Sequence, residues 1–449
     1  AATSSGIQAK NQPGSADLLL QQAAKPSSAR LNVTFMQVPP FSLSQQLAEL
    51  GPELDAAVLQ VLRSGQYIGG GEIQAFENAF AKEVGVPYAV GCNSGTDALI
   101  LALRALGIGA GDEVISCSFS FFATAEAISS VGATPVFVDV EPDSYLINLE
   151  QIEAAITPAT RALLPVHLFG RPVNMDQLME IALRHGLKVI EDCAQASGAA
   201  WNGRPVGSWG DVGCFSFFPT KNLGAAGDAG AVTTHDAKLA QRMRELAVHG
   251  MPRRYWHTEL GFNSRLDALQ ATVLNVKLPK LSYWIEKRQT IAKHYHNLLA
   301  NLPGLELPDQ LRTEQMQHGW NQFVVRVTSC PSRQTSSNER CEKATTNNNN
   351  GLPNSHCRDW LKQNLQEQGI NTIIYYPIPI HLQPAYESLG KGPGSLPITE
   401  QLCSQVLSLP IFPELSVEQQ QQVISALQKL MVQTTTTQVR VVAENSRMA

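Results

Sequence analysis

The sequence predicts an α/β protein: a mostly parallel mixed sheet covered by helices on both faces, followed by a smaller C-terminal α/β domain. Two observations predict this. Between Tyr88 and Val232, short apolar runs alternate with amphipathic helical stretches, the pattern of a sheet buried on both faces. Beyond residue 253 that alternation stops and a long helical pattern takes over. At 449 residues the chain is long enough to bury more than one core.

Leu47, Leu50, Leu54, Val58 and Leu62 recur at helical spacing, and Gly65 is the expected stop. A turn at 68–71, IGGG, leads to a second helix from Glu72. Strand and helix patterns then alternate: YAVG with DALILALRAL, EVIS with TAEAISSVG, PVFVDV with LEQIEAAI, RALLPV with MDQLMEIALRHG, and finally LKVIE. A helical pattern covers 264–299, and Pro279 must kink or divide it. The run NQFVVRVT predicts a strand, and helices are expected near 359–368 and 417–430. The expected domains are a large one over 37–252 and a smaller one over 253–432. Residues 1–36, 433–449 and an NNNN-bearing stretch at 330–354 are low in complexity. They are predicted to be a flexible leader, a flexible tail and a surface insertion.

A formal net charge of −5 argues against nucleic acid or an anionic membrane as the main partner. No run has the length of a membrane-spanning helix, and the first residues lack the charged-then-apolar layout of a signal peptide. The eight cysteines are scattered without a CxxC pair. They signal neither a metal site nor a disulfide framework, and a reducing cytoplasm is the expected compartment.

Ligands of such sheets bind beyond the carboxyl ends of the strands, and the informative motifs fall there. Lys221 is the one lysine in DVGCFSFFPTKNLGAAGDAG, 211–230. Among small and aromatic neighbours an amine loses hydration, its pKa falls, and the neutral form can attack a carbonyl. Alone, Lys221 reads first as a surface lysine on a loop, since unperturbed surface lysines are the rule. Asn93-Ser94-Gly95-Thr96-Asp97 follows a strand and opens a helix, which suits a phosphate or an ordinary N-cap. Asp192, in Glu191-Asp192-Cys193-Ala194-Gln195, stands at the end of the strand LKVI, as a cap or as the partner of a protonated ring nitrogen. Ser216 is a core hydroxyl or a phosphate ligand. Together the pieces ask for a ligand with a phosphate, a cationic aromatic nitrogen and an aldehyde. Pyridoxal phosphate has all three.

The same residues carry a resemblance. NSGTDAL, GDEVIS, GATPVFVDV, PVHLFG, VIEDCAQASGA, FSFFPTKNLGAAGDAGAV, GFNSRLDALQA and YYPIPIHLQPAY stand in order between Val38 and Leu430. The chain resembles the sugar-nucleotide aminotransferases of the DegT/StrS family, which have the aspartate-aminotransferase (type I) fold. The resemblance implies Lys221 as the Schiff-base lysine and Asp192 as the partner of the pyridine nitrogen. Gln195 packs near the cofactor's phenolic oxygen, and Phe121 stacks on its ring. Gly95, Thr96 and Ser216 hold the phosphate, together with Asn263 from a neighbouring subunit, so a homodimer is implied. Arg265 and His381 lie in segments that approach the sugar nucleotide; from the residues alone they read as a surface ion pair and a loop-packing histidine. Cys117 and Cys193 depart from the family's usual proline and alanine.

The implied reaction moves an amine from an amino acid, glutamate, to a keto-sugar nucleotide, with a lean to C3 over C4 from the YYPIPIHLQPAY segment. The alternatives are a sugar dehydratase or an aromatic-amine-forming dehydratase of the same family. Deoxygenating members usually carry histidine where Lys221 stands, which argues against that branch. A non-enzymatic regulator on the same fold is a further alternative, and its sign would be loss of Lys221 or Asp192.

Overall fold

The computed structural model describes residues 36–308, 315–330 and 356–432. Apart from Met36 and Cys330, the expected leader, insertion and tail lie outside the described residues.

Helix α1 (Ser44–Ser64) and helix α2 (Gly71–Val84) precede the sheet, and Gly65 ends α1 in the left-handed conformation at φ 68°. Then come β1 (Tyr88–Cys92), α3 (Gly95–Ala105), β2 (Glu113–Cys117), α4 (Ala123–Ser130) and β3 (Thr134–Val138). The LEQIEAAI stretch forms less helix than its pattern promised: a 3-10 turn and the single turn α5 (Ile152–Ala155). Next are β4 (Thr160–Leu163), α6 (Met175–His185) and β5 (Lys188–Asp192). Two short strands, β6 (Ala200–Trp201) and β7 (Arg204–Pro205), lead to β8 (Val212–Ser216) and β9 (Gly230–Thr234).

Seven of these strands form one sheet in the order β1-β9-β8-β5-β4-β2-β3. Every adjacent pair is parallel except the two that involve β9. The reason is local. Parallel neighbours need a crossover, usually a helix, and residues 217–229 contain none, so the chain returns antiparallel. Gly230 at the start of β9 therefore lies opposite Ser216 at the end of β8 and Cys92 at the end of β1. Both faces of β8 are buried: Val212 and Cys214 join one apolar cluster, Phe215 and Phe217 the other. Side chains alternate along a strand, so an unbroken apolar run has a covered face on each side.

Beyond α7 (Ala237–Leu246), the pattern over 264–299 resolves into two helices. They are α8 (Ala268–Lys277) and α9 (Leu281–Leu299), separated by a 3-10 turn around Pro279. Residues 264–267 stay extended because Asp267 bridges to Ile68 and the Ser264 N–H donates to the Ala247 carbonyl at 2.9 Å. After β10 (Leu305–Glu306) and β11 (Met316–Gln317), β12 (Phe323–Val327) pairs antiparallel with β10 and with β13 (Val406–Leu409). Tyr295, Phe323, Leu361, Leu407, Val423 and Leu427 share the apolar cluster around this smaller sheet. Among the described residues no helix is long and apolar enough to cross a membrane.

Candidate active site

The site grows from five strand ends. Asp192 closes β5, and its backbone is held on the neighbouring side. Its N–H donates to the Pro165 carbonyl at 2.9 Å, and its carbonyl accepts from His167 N–H at 3.0 Å. The carboxylate is buried, at 5 % exposure. Oδ2 accepts from the Thr124 hydroxyl at 2.9 Å and Oδ1 from Ala194 N–H at 3.1 Å. Burial raises its pKa, against the lowering effect of Ala194 N–H, Thr124, Lys221 and His167. A carboxylate has about four lone-pair directions, so two donors leave room for a third, cationic N–H.

Lys221 sits on the loop between β8 and β9. Phe217 N–H donates to Ala229 at 2.8 Å and Ala225 N–H to Phe217 at 2.7 Å, closing the loop, while Lys221 N–H donates to Phe218 at 2.8 Å. The Asn222 amide donates to the Gly319 carbonyl at 2.8 Å, and buried Lys277 donates through Nζ to the Gly224 carbonyl at 2.9 Å. Burial lowers the Lys221 pKa to about 8, while the charge on Asp192 opposes the shift. Each of these two groups feels the other's charge, so they lie near one another. At pH 7 about one Lys221 amine in ten is then neutral, against fewer than about one in a thousand for an ordinary lysine. Capture of an aldehyde by the ligand-free protein should therefore accelerate with rising pH and level off above pH 8. Stopped-flow absorbance on adding pyridoxal phosphate reads this, and a rate still climbing at pH 10 would mean an unperturbed amine.

Ser94 caps α3, accepting from Asp97 N–H at 3.1 Å. The cap and the anion site coexist, because helix geometry leaves the first N–H groups, on Gly95 and Thr96, pointing out of the helix end. A Cβ on Gly95 would stand 2.6 Å from Ser216 Cβ, and one on Gly230 would stand 2.3 Å from the Ser94 carbonyl oxygen. Three strand ends thus close on one another only because glycine stands at these two positions. The result is a small cradle of N–H groups and the Ser216 hydroxyl. It fits a phosphate, as the buried Asp192 carboxylate and the half-buried Lys221 fit a pyridine nitrogen and an aldehyde.

Gln195 is buried, taking a hydrogen bond from Phe169 N–H at 2.8 Å and giving one to the Tyr376 hydroxyl at 2.9 Å. Phe121 follows β2 and is 58 % exposed, its ring centroid 6.2 Å from that of Tyr376. Asn263 and Arg265 are exposed on the strip whose Ser264 hydroxyl donates to Asn93 Oδ1 at 3.2 Å. His381 is buried with both ring nitrogens engaged, Nδ1 with the Ser118 hydroxyl at 2.8 Å and Nε2 with Glu400 at 3.2 Å. Its ring ties the end of β2 to the helix Pro397–Gln405. His167, Glu191 and Cys193 also cluster. The Glu191 carboxylate there already accepts from His167 and from the N–H groups of Gly207, Trp209 and Gly210.

Thr124, Tyr376, Asn222 and Lys277 were not singled out in the sequence. Thr124 carried a weak signal, lying four residues after Ser120 at a helix start; their hydroxyls meet at 2.8 Å.

The profile of the DegT/DnrJ/EryC1/StrS aminotransferase family matches residues 48–347 and 342–428. The chain belongs to this family. A dTDP-3-amino-3,4,6-trideoxy-alpha-D-glucose transaminase of Streptomyces venezuelae is 44% identical over 393 residues, 88% of this chain and 96% of the relative. A UDP-N-acetyl-3-dehydro-alpha-D-glucosamine 3-aminotransferase of Acidithiobacillus ferrooxidans is 44% identical over 382 residues, 85% and 95% of the two chains. A protein of Geobacillus stearothermophilus named a pleiotropic regulatory protein is 42% identical over 392 residues, 87% and 98%. Among solved structures, S. venezuelae DesV in complex with a ketimine intermediate superposes with a TM-score of 0.80 at 44% identity, covering 88% of this chain and 99% of that one. NtdA from Bacillus subtilis with bound cofactor PMP gives 0.78 at 31%, covering 89% and 86%. This DegT/DnrJ/EryC1/StrS member has the type I fold that its sequence led us to expect. It is an aminotransferase, and pyridoxal phosphate is its cofactor.

Proposed function

We propose that this aminotransferase moves the amino group of glutamate to C3 of a keto-sugar nucleotide in amino-sugar biosynthesis. The observation that carries the reading is a buried Asp192 carboxylate near enough to the Lys221 amine for each to feel the other's charge, on strand ends that also build a glycine-lined anion cradle. The names of several relatives support C3: two name dTDP-3-amino sugars, one a UDP-linked 3-dehydro sugar and one a UDP-linked 3-oxo sugar.

When bound, pyridoxal phosphate supplies an aldehyde to carry the amine and a ring to accept electrons. Lys221 Nζ is the covalent anchor. Once displaced by a substrate amine, it would take the proton from the donor's Cα and, in the second half of the reaction, deliver one to the acceptor carbon that receives the amine. Asp192 holds the proton of the ring nitrogen. That cation reverses the burial effect on Asp192 and keeps the carboxylate ionised. The N–H groups of Gly95 and Thr96 and the Ser216 hydroxyl bind the phosphate. Phe121 covers the ring face, and Gln195 keeps one amide hydrogen for the phenolic oxygen. Arg265 and His381 belong to the sugar-nucleotide side, His381 by bracing Ser118.

The active unit in this reading is a homodimer that draws Asn263 of the partner subunit to the phosphate. Exposed Tyr67, Ile68, Tyr255, Trp256 and Leu260 give it an apolar surface to bury. The division into domains at 252/253 and a cytoplasmic location, beside the supply of sugar nucleotides, complete the proposal.

The test is a panel of UDP- and dTDP-linked 3-keto and 4-keto sugars with glutamate, read by product mass. The 3-keto acceptors should gain an amine and 2-oxoglutarate should appear. Faster amination of the 4-keto sugars overturns the C3 assignment. Loss of water without gain of an amine would point to a dehydratase, and no turnover with any acceptor to a regulator.

A further inference from the structure

Lys221 stands near the apex of a narrow loop, and the neck of that loop is drawn tight. The Phe217 carbonyl accepts from Ala225 N–H at 2.7 Å, and inside that pair Lys221 N–H turns back on the Phe218 carbonyl at 2.8 Å. A Cβ on Gly224 would stand 2.4 Å from the Pro219 carbonyl oxygen, so only glycine lets the two sides of the neck lie this close. These contacts fix the shape of the loop. They leave open where the loop stands in the molecule.

Two side chains of α8 decide that. Lys277 Nζ donates to the Gly224 carbonyl at 2.9 Å, and Gln270 Oε1 accepts from Ala226 N–H at 2.8 Å. Residues 270 and 277 share one face of the helix, two turns apart, and they take nearby backbone groups of the neck. Asn222 holds the apex, its amide donating to the Gly319 and Ser197 carbonyls at 2.8 and 3.3 Å. Stability alone does not call for Lys277. Its side chain is 2 % exposed, and burial pulls the amine down to about 8, opposed by the charge on Glu414. An apolar chain of the same length would fill the space without losing hydration. It would not supply a donor for the Gly224 carbonyl, and a charged donor holds harder than a neutral one.

We propose that α8 sets the place of the Lys221 amine, through Lys277 at the Gly224 carbonyl and Gln270 at the Ala226 N–H. Both are positioning residues, acting through the loop rather than on the reacting atoms. The inference rests on the reading of Lys221 as covalent anchor and proton carrier, and is independent of which sugar is the acceptor.

The test is Lys277→Met, which keeps the length of the chain and removes the donor. Holoenzyme is mixed with glutamate alone, and the half-reaction is followed by loss of the visible absorbance band. The expected result is a maximal rate about tenfold lower, part of the roughly hundredfold that a displacement of about 1 Å costs. The glutamate concentration at half-maximal rate should keep its wild-type value. The melting temperature of the ligand-free protein should be equal or higher, because a buried amine is gone and Glu414 still has the charge of Arg288. A purely structural residue would lower rate and melting together, so a variant that melts far lower overturns the proposal. So does a wild-type maximal rate. Gln270→Ala leaves the buried amine in place and should show the same split with a smaller loss; a wild-type rate there overturns the two-point hold. A Lys221→Ala protein that keeps the visible band sinks both readings. A Lys221→Ala protein that has lost it, beside a Lys277→Met protein equal to wild type, sinks only this one.

Discussion

Lys221→Ala is expected to give a folded protein that shows no visible absorbance band after incubation with pyridoxal phosphate. Transfer activity should fall by on the order of 10⁴ or more, because the variant loses both the covalent anchor and the proton carrier. The loss will not be one of folding. An amine whose pKa is lowered to about 8 in the fold but is ordinary in the unfolded chain favours the unfolded state, fully below about pH 8 and fading only as the pH rises to the ordinary lysine value of about 10.4. Removing it should leave the melting temperature of the ligand-free protein equal or higher. Those two readings belong together. A variant that still forms the band would put the covalent site elsewhere, and one that melts far lower would make Lys221 a structural residue.

Asp192→Ala is the second large effect. The carboxylate is buried and takes hydrogen bonds from Thr124 and Ala194. Its loss strands those two donors and leaves the cationic ring nitrogen without its counter-charge. Breaking a buried charge pair on one side costs about 3–5 kcal/mol, so kcat should fall by on the order of 10³. The band of the Lys221-bound cofactor should persist with a shifted maximum, because the anchor is intact. A kcat within a factor of about ten of wild type would show that the ring nitrogen is protonated without help from Asp192.

Much of this was legible in the residues. The alternation of apolar runs with helical stretches predicted the covered sheet, and Lys221, Asp192, Gly95 and Ser216 could be picked out because strand ends and glycine turns have local signatures. Tyr376 had none. It reaches Gln195 across 181 positions of chain, and no spacing rule links residues so far apart. Lys277 was equally hidden, since it reads as one basic residue of a helix until its Nζ is found buried against Gly224. The antiparallel turn of β9 could have been read from the absence of a helical pattern over 217–229. The sequence reading of His381 left open whether its ring packs a loop or meets a ligand. The engagement of both ring nitrogens describes a brace, a role that only long-range partners reveal.

Asp192 belongs to a strand held by neighbours on both sides, and Tyr376 to a stretch outside every strand and helix. A backbone shift at Tyr376 therefore breaks no strand pairing, whereas a shift in β5 would disturb its pairings with β4 and β8 and move the carboxylate they hold in place.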